Sequence, residues 1–485
     1  MLSILICHSY FMRLDPKQWA RRKPYPPLAT LTAAQLLRAE GHEVFLFDAM
    51  LADGTDEYES RLAEHQPDLV LLYEDNYNFL SKMCLAAMRE AACGMIRKAR
   101  LHGAKVIASG SDPSDDPEPY LHAGAGAVLT GEGLATLLDL IPRLMAAPEA
   151  AFSPLAKGLS SIVTLEAGRP VKVNGTSLLP ESRLPRLPAW DLVEMDRYRK
   201  VWREAHGYFS LNMVASRGCP FRCTWCAKPI WGSQYLQRHA VDVADEMTHL
   251  KRSFEPDHIW FADDIFGFRV DWIEEFSQRL GETEGHIPFT IQTRADLISE
   301  RMALALRDAG CREAWLGAES GSQRVLDAMH KGTTVEEIVT ARARLRAAGI
   351  RVGFFIQLGY LGEEIEDIMA TRTLLETALP DDVGVSVAYP LPGTQFHALV
   401  KEQLRGKTHW QDSDDLAMMF QGTYTSQFYR EIRDLIHDQV RLSQPAPTPV
   451  AIDPRSLEER WTDLVSQANR HRSPGQVGAA LSGRP

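Results

Sequence analysis

The chain has 485 residues, 45% of them apolar, and a formal net charge of -11. That length points to two or three domains with proper cores, and the acidic balance speaks against nucleic acid or an anionic membrane as the main partner. No apolar run reaches the length of a membrane span, and the opening MLSILICHSYFMRLD lacks the basic region and cleavage site of a signal peptide. A cytoplasmic protein is expected, in which clustered thiols bind metal or do chemistry rather than pair as disulfides.

In chain order, short apolar runs alternate with helical patterns. LSILICHS predicts a strand, LATLTAAQLLRAEGH a helix ending at Gly41, and EVFLFDA and DLVLLYED two further strands. A helical stretch from about Leu80 to Leu101 leads into AKVIASG. A short helix around Glu118 to His122 leads into GAVLTGEG, and LATLLDLIPRLM closes the set. Apolar strands alternating with helices make a parallel sheet covered on both faces. Residues 1–146 are therefore expected to form a five-stranded, doubly wound, Rossmann-like domain. Such sheets bind ligands at the carboxyl ends of their strands. Here those ends are HSYF, YEDNYNF, SGSDPSDD and TGEG, rich in Gly, Ser, Asp, Asn and Tyr.

Residues 147–205 read as a Pro- and Gly-marked connector that includes LPRLPAWDL. Six strands follow: YFSLNMVAS, HIWFADDIF, PFTIQTRAD, EAWLGAES, RVGFFIQLG and VGVSVAYPLPG, with a helical stretch between each. Six βα units are too few for an eight-stranded barrel. They predict a partial (β/α)6 TIM-like barrel over 206–400. Residues 401–470 form a helical C-terminal region (SQFYREIRDLIHDQVRL) that turns irregular from SQPAPTPVAIDP, and 471–485 read as a disordered tail. The fold class is α/β.

CPFRCTWC, behind the first barrel strand, holds Cys219, Cys223 and Cys226, three of only seven cysteines. A strand-end loop can wrap three thiolates around one soft metal centre. A structural zinc site wants four protein ligands, and His206 and His239 each stand 13 residues from the nearest of these cysteines. Three cysteines overfill a dithiol. Iron–sulfur ligation remains, with one iron left open for a substrate or cofactor. Cys84 and Cys93 fall on opposite faces of one helix, and with Cys7 and Cys311 they read as core thiols.

C-x3-C-x2-C at this place, with Trp225 before the last cysteine, resembles the radical S-adenosylmethionine (SAM) superfamily. The resemblance implies a [4Fe-4S] cluster on Cys219, Cys223 and Cys226 whose open iron chelates SAM. An electron from a flavodoxin- or ferredoxin-type reductant then splits SAM into methionine and a 5'-deoxyadenosyl radical. On the family pattern, SAM would be contacted by Trp225, by Asp263 and Asp264 in FADDIF, and by Arg294 in QTRAD. Glu319 and Ser320 in GAESGS and Gln357 in FFIQLG would complete the set. LGYLGE departs from the family's Pro-Gly-Glu, with Leu361 in place of proline, so no role for Glu363 is implied.

The doubly wound domain ahead of the barrel resembles a cobalamin-binding domain, and the whole resemblance runs over roughly residues 1–440. YPPLATLTAAQLLRAEGHEV resembles that family's link between strands one and two. SGSDPSDDPEPYLHAGAGAVLTGEG resembles the stretch that encloses the nucleotide tail. Implied cobalamin contacts are Tyr10, Tyr73, Glu74, Asn76, Tyr77, Ser109, Gly110, Ser111, Thr130, Gly131, Glu132 and Gly133. LDPKQWA lacks the cobalt-ligating histidine of D-x-H-x-x-G, and His8 reads as packed inside the first strand. Cobalt's lower face would then meet Tyr73, Asn76 or Tyr77.

A missing second cysteine triplet argues against methylthiotransferases. The expected activity is a cobalamin-dependent methyltransferase acting on an unactivated carbon of a small molecule, such as a secondary metabolite or tetrapyrrole. Tyr208, Phe209 and Trp231 are available to stack on an aromatic substrate. An oxidative cyclase like the anaerobic magnesium-protoporphyrin cyclase is the alternative, since DLAMMFQGTYTSQFYREI resembles the helical end of that wider group. A non-catalytic cobalamin carrier comes third.

Overall fold

A computed structural model of the chain describes residues 1–78, 86–175, 178–226, 230–404, 416–444 and 453–473. The helix expected from Leu80 is seen as Ala86–Leu101; its first residues, and Cys84, lie outside the described residues.

The first sheet contains β1 (Ser3–Cys7), β2 (Glu43–Phe47), β3 (Leu69–Tyr73), β4 (Lys105–Ser109) and β5 (Ala127–Leu129). They run parallel in the order β2-β1-β3-β4-β5. Every residue of β3 is buried, as a strand covered by helices on both faces must be. The order reverses between β1 and β3, and that reversal opens a crevice at the strands' carboxyl ends.

The sheet does not stop at five strands. Residues expected to be a plain connector add β6 (Ile162–Glu166) and β7 (Arg169–Val173), both antiparallel, giving seven strands. Ala167 and Gly168 join them with positive φ at both positions, the geometry of a two-residue hairpin turn. β7 is exposed along its whole length. An edge strand with no buried face carries no hydrophobic period for the sequence to display.

In the second half, β8 (Ser210–Met213) is followed by a short antiparallel ribbon, β9 (Ser216–Gly218) and β10 (Tyr235–Gln237), which brackets the cysteine loop. β11 (His258–Phe261), β12 (Phe289–Thr293), β13 (Cys311–Glu319), β14 (Arg351–Leu358) and β15 (Asp382–Val387) then follow. With β8 they form a six-stranded parallel sheet in strict chain order, the partial (β/α)6 barrel expected. Phe261 and Phe289 both meet Phe276 of the helix Val270–Thr283, at 6.1 Å each. Alternation therefore turns Trp260, Thr290, Trp315, Phe355 and Gln357 into the barrel interior. Trp315 stacks on Phe355 at 4.8 Å and lies flat over Gly353, where a Cβ would sit 2.6 Å from the indole.

The two halves share one apolar core, which includes Ile4 and Leu71 of the first sheet, Leu211 and Leu316 of the barrel, and Tyr198 and Trp202 of the helix Met195–His206. The segment before the helix Leu28–Ala39 reaches across to the barrel. Trp202 Nε1 donates to the Pro24 carbonyl (2.7 Å), Asn212 Nδ2 donates to the Pro26 carbonyl (3.0 Å), and Tyr25 packs on Trp202 and Trp260.

At the C-terminus the helix Ser426–Leu442 is capped by the Thr425 side chain. The stretch expected to be irregular contains a further helix, Pro454–Gln467, begun by Asp453 and burying Leu457, Trp461 and Leu464. Part of the expected disordered tail is tied down too. Arg472 pairs with Tyr424 across a β-bridge and donates to Glu364 at 2.5 Å. Residues 474–485 lie outside the described residues. Among the described residues, no helix is long and apolar enough to cross a membrane.

Candidate active site

Chain direction brings the carboxyl ends of β8 and β11–β15 to one rim of the barrel, and the cysteine loop lies there. The thiols of Cys219, Cys223 and Cys226 are half-buried. The loop is anchored on its barrel side. Thr224 N donates to the Met329 carbonyl (2.9 Å), its Oγ1 lies 2.7 Å from the Tyr360 hydroxyl, and Phe396 N donates to the Thr224 carbonyl (3.0 Å). Among the described residues no three His, Cys, Asp or Glu side chains converge as one metal ion requires. Three accessible thiols on one anchored loop suit a cluster, whose own iron and sulfide hold its thiolates apart. Trp225 packs beside this loop against the cluster of Tyr360 and Phe396.

Arg294, at the end of β12, is buried and reaches this loop. Its Nη1 points at Cys223 Sγ (3.8 Å) and its guanidinium lies 3.7 Å from the centre of the Phe221 ring. The end of β13 carries a buried ion pair, Glu319 Oε1 to Lys331 Nζ at 2.8 Å, with both side chains about 5% exposed. Glu319 holds φ +63, a left-handed conformation that side chains rarely adopt and that clusters at functional sites. Gly317, two residues earlier on the same face, makes room for the pair, since a Cβ there would sit 2.6 Å from Lys331 Nζ. Gln357 is buried with its Oε1 unpartnered among the described residues.

Other expected contacts are committed elsewhere. Asp263 accepts from the backbone N–H of Ala215 (3.0 Å) and from the Ser216 hydroxyl, clamping the turn after β8. Burial raises its pKa to about 7, against those hydrogen bonds. Asp264 is exposed on the rim. Ser320 is fully buried and faces Thr371 of the helix Ile365–Ala378. Gly321 leaves no space between this turn and that helix, because a Cβ would fall 2.2 Å from the Ala370 carbonyl. Glu363 closes its own loop by accepting from Gly359 N at 2.6 Å. Tyr208 and Phe209 precede β8, at the opposite end of the barrel from the cysteines. Tyr208 packs on Trp202 and Phe209 is fully buried, so neither shares a cavity with Trp231.

The carboxyl edge of the first sheet faces the same loop. Tyr77 stacks on Trp231 at 5.1 Å. Glu132 and Arg217 form a buried pair in which Arg217 also donates to the Leu179 carbonyl (2.8 Å), while Glu132 accepts from Leu179 N (2.7 Å). Gly131, at φ +69, lets the Ile230 carbonyl approach to 3.1 Å from where a Cβ would stand. Thr130 continues the edge through its N–H to the Ser161 carbonyl (2.9 Å).

Along this edge, Asn76 is buried with neither amide atom partnered, and the Ser109 and Ser111 hydroxyls are buried and unpartnered among the described residues. Gly110 (φ +154) and Gly133 (φ +72) pack around Ser109, where Cβ atoms would collide with Glu74 and Leu129. Buried polar atoms without partners cost about 1–3 kcal/mol each. A row of them along the sheet's carboxyl edge can take a polar ligand, and it suits a large one such as cobalamin with its nucleotide tail.

Several residues of the expected cobalamin set also hold the scaffold together. Tyr73 donates its hydroxyl to the Glu132 carbonyl (2.7 Å) inside the core. Glu74 accepts from the Ser9 hydroxyl (2.6 Å) and N–H, and burial raises its pKa. Tyr10 donates to Asp15 (3.1 Å). His8 follows β1 rather than lying in it. It is packed as expected, with Nε2 2.9 Å from Asp48. Burial opposes its charged form, but Asp48 holds its pKa above the ordinary value. Sequence reasoning missed Lys331 and Thr333, which sit between two helices with no motif to mark them.

Residues 213–375 match the Radical SAM superfamily model. An uncharacterized methyltransferase of Pyrococcus horikoshii is 26% identical over 377 residues, covering 76% of this chain and 77% of its own length. The radical SAM methyltransferase TsrM of Kitasatospora setae, solved with cobalamin and a [4Fe-4S] cluster, superposes with a TM-score of 0.68 at 19% identity, over 83% of this chain and 78% of that one. The cobalamin-dependent SAM radical enzyme OxsB gives a TM-score of 0.69 at 17% identity, over 97% of this chain and 71% of that one.

Proposed function

We propose that this chain, an enzyme whose residues 213–375 match the radical SAM superfamily, is a cobalamin-dependent methyltransferase acting on an unactivated carbon of a small molecule. One observation carries the reading. The cysteine loop and the row of unpartnered polar groups on the first sheet lie on two strand-end edges that touch, through Tyr77–Trp231 and Arg217–Glu132. A pair of cofactors held there would face one substrate. When bound, cluster and SAM would supply a 5'-deoxyadenosyl radical, and cobalamin a methyl group.

The chain's own residues have separate tasks in this scheme. Cys219, Cys223 and Cys226 would hold the cluster; Asp264, Gln357, Glu319 and Trp225 would contact SAM. Asn76, Ser109, Ser111 and the backbone at Gly110, Gly131 and Gly133 would take cobalamin. Of the three residues considered for the lower face of cobalt, Tyr73 donates its hydroxyl to the Glu132 carbonyl, which leaves Asn76 and Tyr77. The methyltransferase name of the Pyrococcus relative and the cobalamin in both solved neighbours support the same assignment.

Anaerobic reconstitution with iron, sulfide and hydroxocobalamin, followed by desalting, tests it. About four irons and one cobalt per chain are expected, with the visible bands of both groups. Iron without cobalt would leave the radical chemistry standing and end the methyltransferase reading.

A further inference from the structure

We propose that Arg294 is a positioning residue for the iron–sulfur cluster, fixing the Cys223 sulfur through an N–H···S contact and easing the cluster's reduction. This departs from the SAM contact that its place at the end of β12 suggests, and it rests on the three cysteines being cluster ligands.

The geometry leaves the guanidinium little freedom. Nε donates to Asp296 Oδ1 (2.9 Å), and Nη2 faces Asp296 Oδ2 (3.1 Å), the Lys331 carbonyl (2.7 Å) and Thr333 Oγ1 (2.9 Å). Arginine has five N–H groups in a rigid fork, and three of these are thereby committed to the protein. What remains is Nη1, which faces Cys223 Sγ at 3.8 Å. Below the plane lies Phe221 at 3.7 Å, itself part of the cysteine loop. The side chain is buried at 6% exposure, so the charge is weakly screened. Asp296 offsets part of that charge, yet it bonds the far side of the fork and leaves the positive edge toward sulfur.

A cluster gains negative charge when reduced. A cation and an N–H aimed at one of its sulfurs stabilise that form, and hydrogen bonds to sulfur are among the factors that set cluster potentials. Lysine at this position would keep the charge but lose the fork and the flat stack on Phe221.

EPR-monitored redox titration of the reconstituted full chain tests this with Arg294→Gln and Arg294→Lys. For the Gln variant the ratio of reduced to oxidised cluster at the wild-type midpoint should fall about tenfold, a drop of ~59 mV for one electron. The Lys variant should fall between. EPR reads only loaded clusters, so poor iron uptake in a variant lowers the signal and leaves its midpoint readable. An Arg294→Gln midpoint equal to wild type overturns the proposal alone. A wild-type chain that binds no iron overturns the cysteine assignment and the proposal with it, so the two failures are distinguishable.

Discussion

At the scale of single residues, Glu319 and Lys331 give the sharpest test of how the rim is built. Both are almost wholly buried and 2.8 Å apart. Removing one partner of such a pair leaves an uncompensated charge and costs about 3–5 kcal/mol, whereas neutralising both is often nearly harmless. Lys331→Met should therefore lower the unfolding free energy by roughly that amount, and Glu319→Gln with Lys331→Met should recover most of it. Urea unfolding of the three proteins measures this. A single mutant within 1 kcal/mol of wild type would show that the pair is wet and weak. The same scale shows what else some of the expected contacts do. Asp263, Glu74 and Tyr73 are residue types that bind ligands, but each spends its polar atoms on a turn or a neighbouring strand. Residue type is visible in a sequence; the direction in which a side chain points is not.

Among the elements, the strands of both sheets were legible because burial on two faces writes a continuous apolar run. The β6–β7 hairpin was not, since β7 has no buried face. The cysteine triplet was legible because its ligands are local in sequence. Arg294 was noticed, but its contacts to Cys223, Lys331 and Thr333 were not, because those residues converge on it only in the fold. The loop after β14 carries a prediction that its altered motif left open. Glu363 is fully buried there, and burial raises its pKa to about 8, more than the Gly359 N–H lowers it. A carboxyl with a folded-state pKa above its unfolded value near 4.3 stabilises the fold while neutral. That contribution is complete below about pH 4 and is lost as pH rises through about 8. Glu363→Gln keeps the acceptor for Gly359 and cannot ionise. Its melting temperature should match wild type near pH 4 and exceed it at pH 9, by on the order of a few kcal/mol in stability. Parallel curves across that range would mean Glu363 stays charged.

For the whole molecule, the question is whether the two sheets are two domains in the thermodynamic sense. Sequence divides the chain at 146 and 206, and a linker with few crossing contacts would make those boundaries real. In the structure the linker adds two strands to the first sheet and ends in a helix whose Tyr198 and Trp202 lie in a core common to both sheets. Segment 23–27 reaches the barrel, and Arg217 brings a buried charge from β9 to Glu132 after β5. Separating the halves would expose Trp202 and strand both partners of the Arg217 pair. Neither sheet then has a stable state without the other, so anaerobic calorimetry of the apo chain should give a single transition whose calorimetric and van't Hoff enthalpies agree. Arg217→Met should lower that one transition as a whole, because the buried Glu132 carboxylate loses its charge partner at a cost of about 3–5 kcal/mol. Two resolved transitions, with only one of them moved by the mutation, would instead make each sheet its own folding unit. The joint between the edges would then be a hinge between separate bodies, and a cavity shared by two cofactors would have to be assembled on binding instead of being built into the fold.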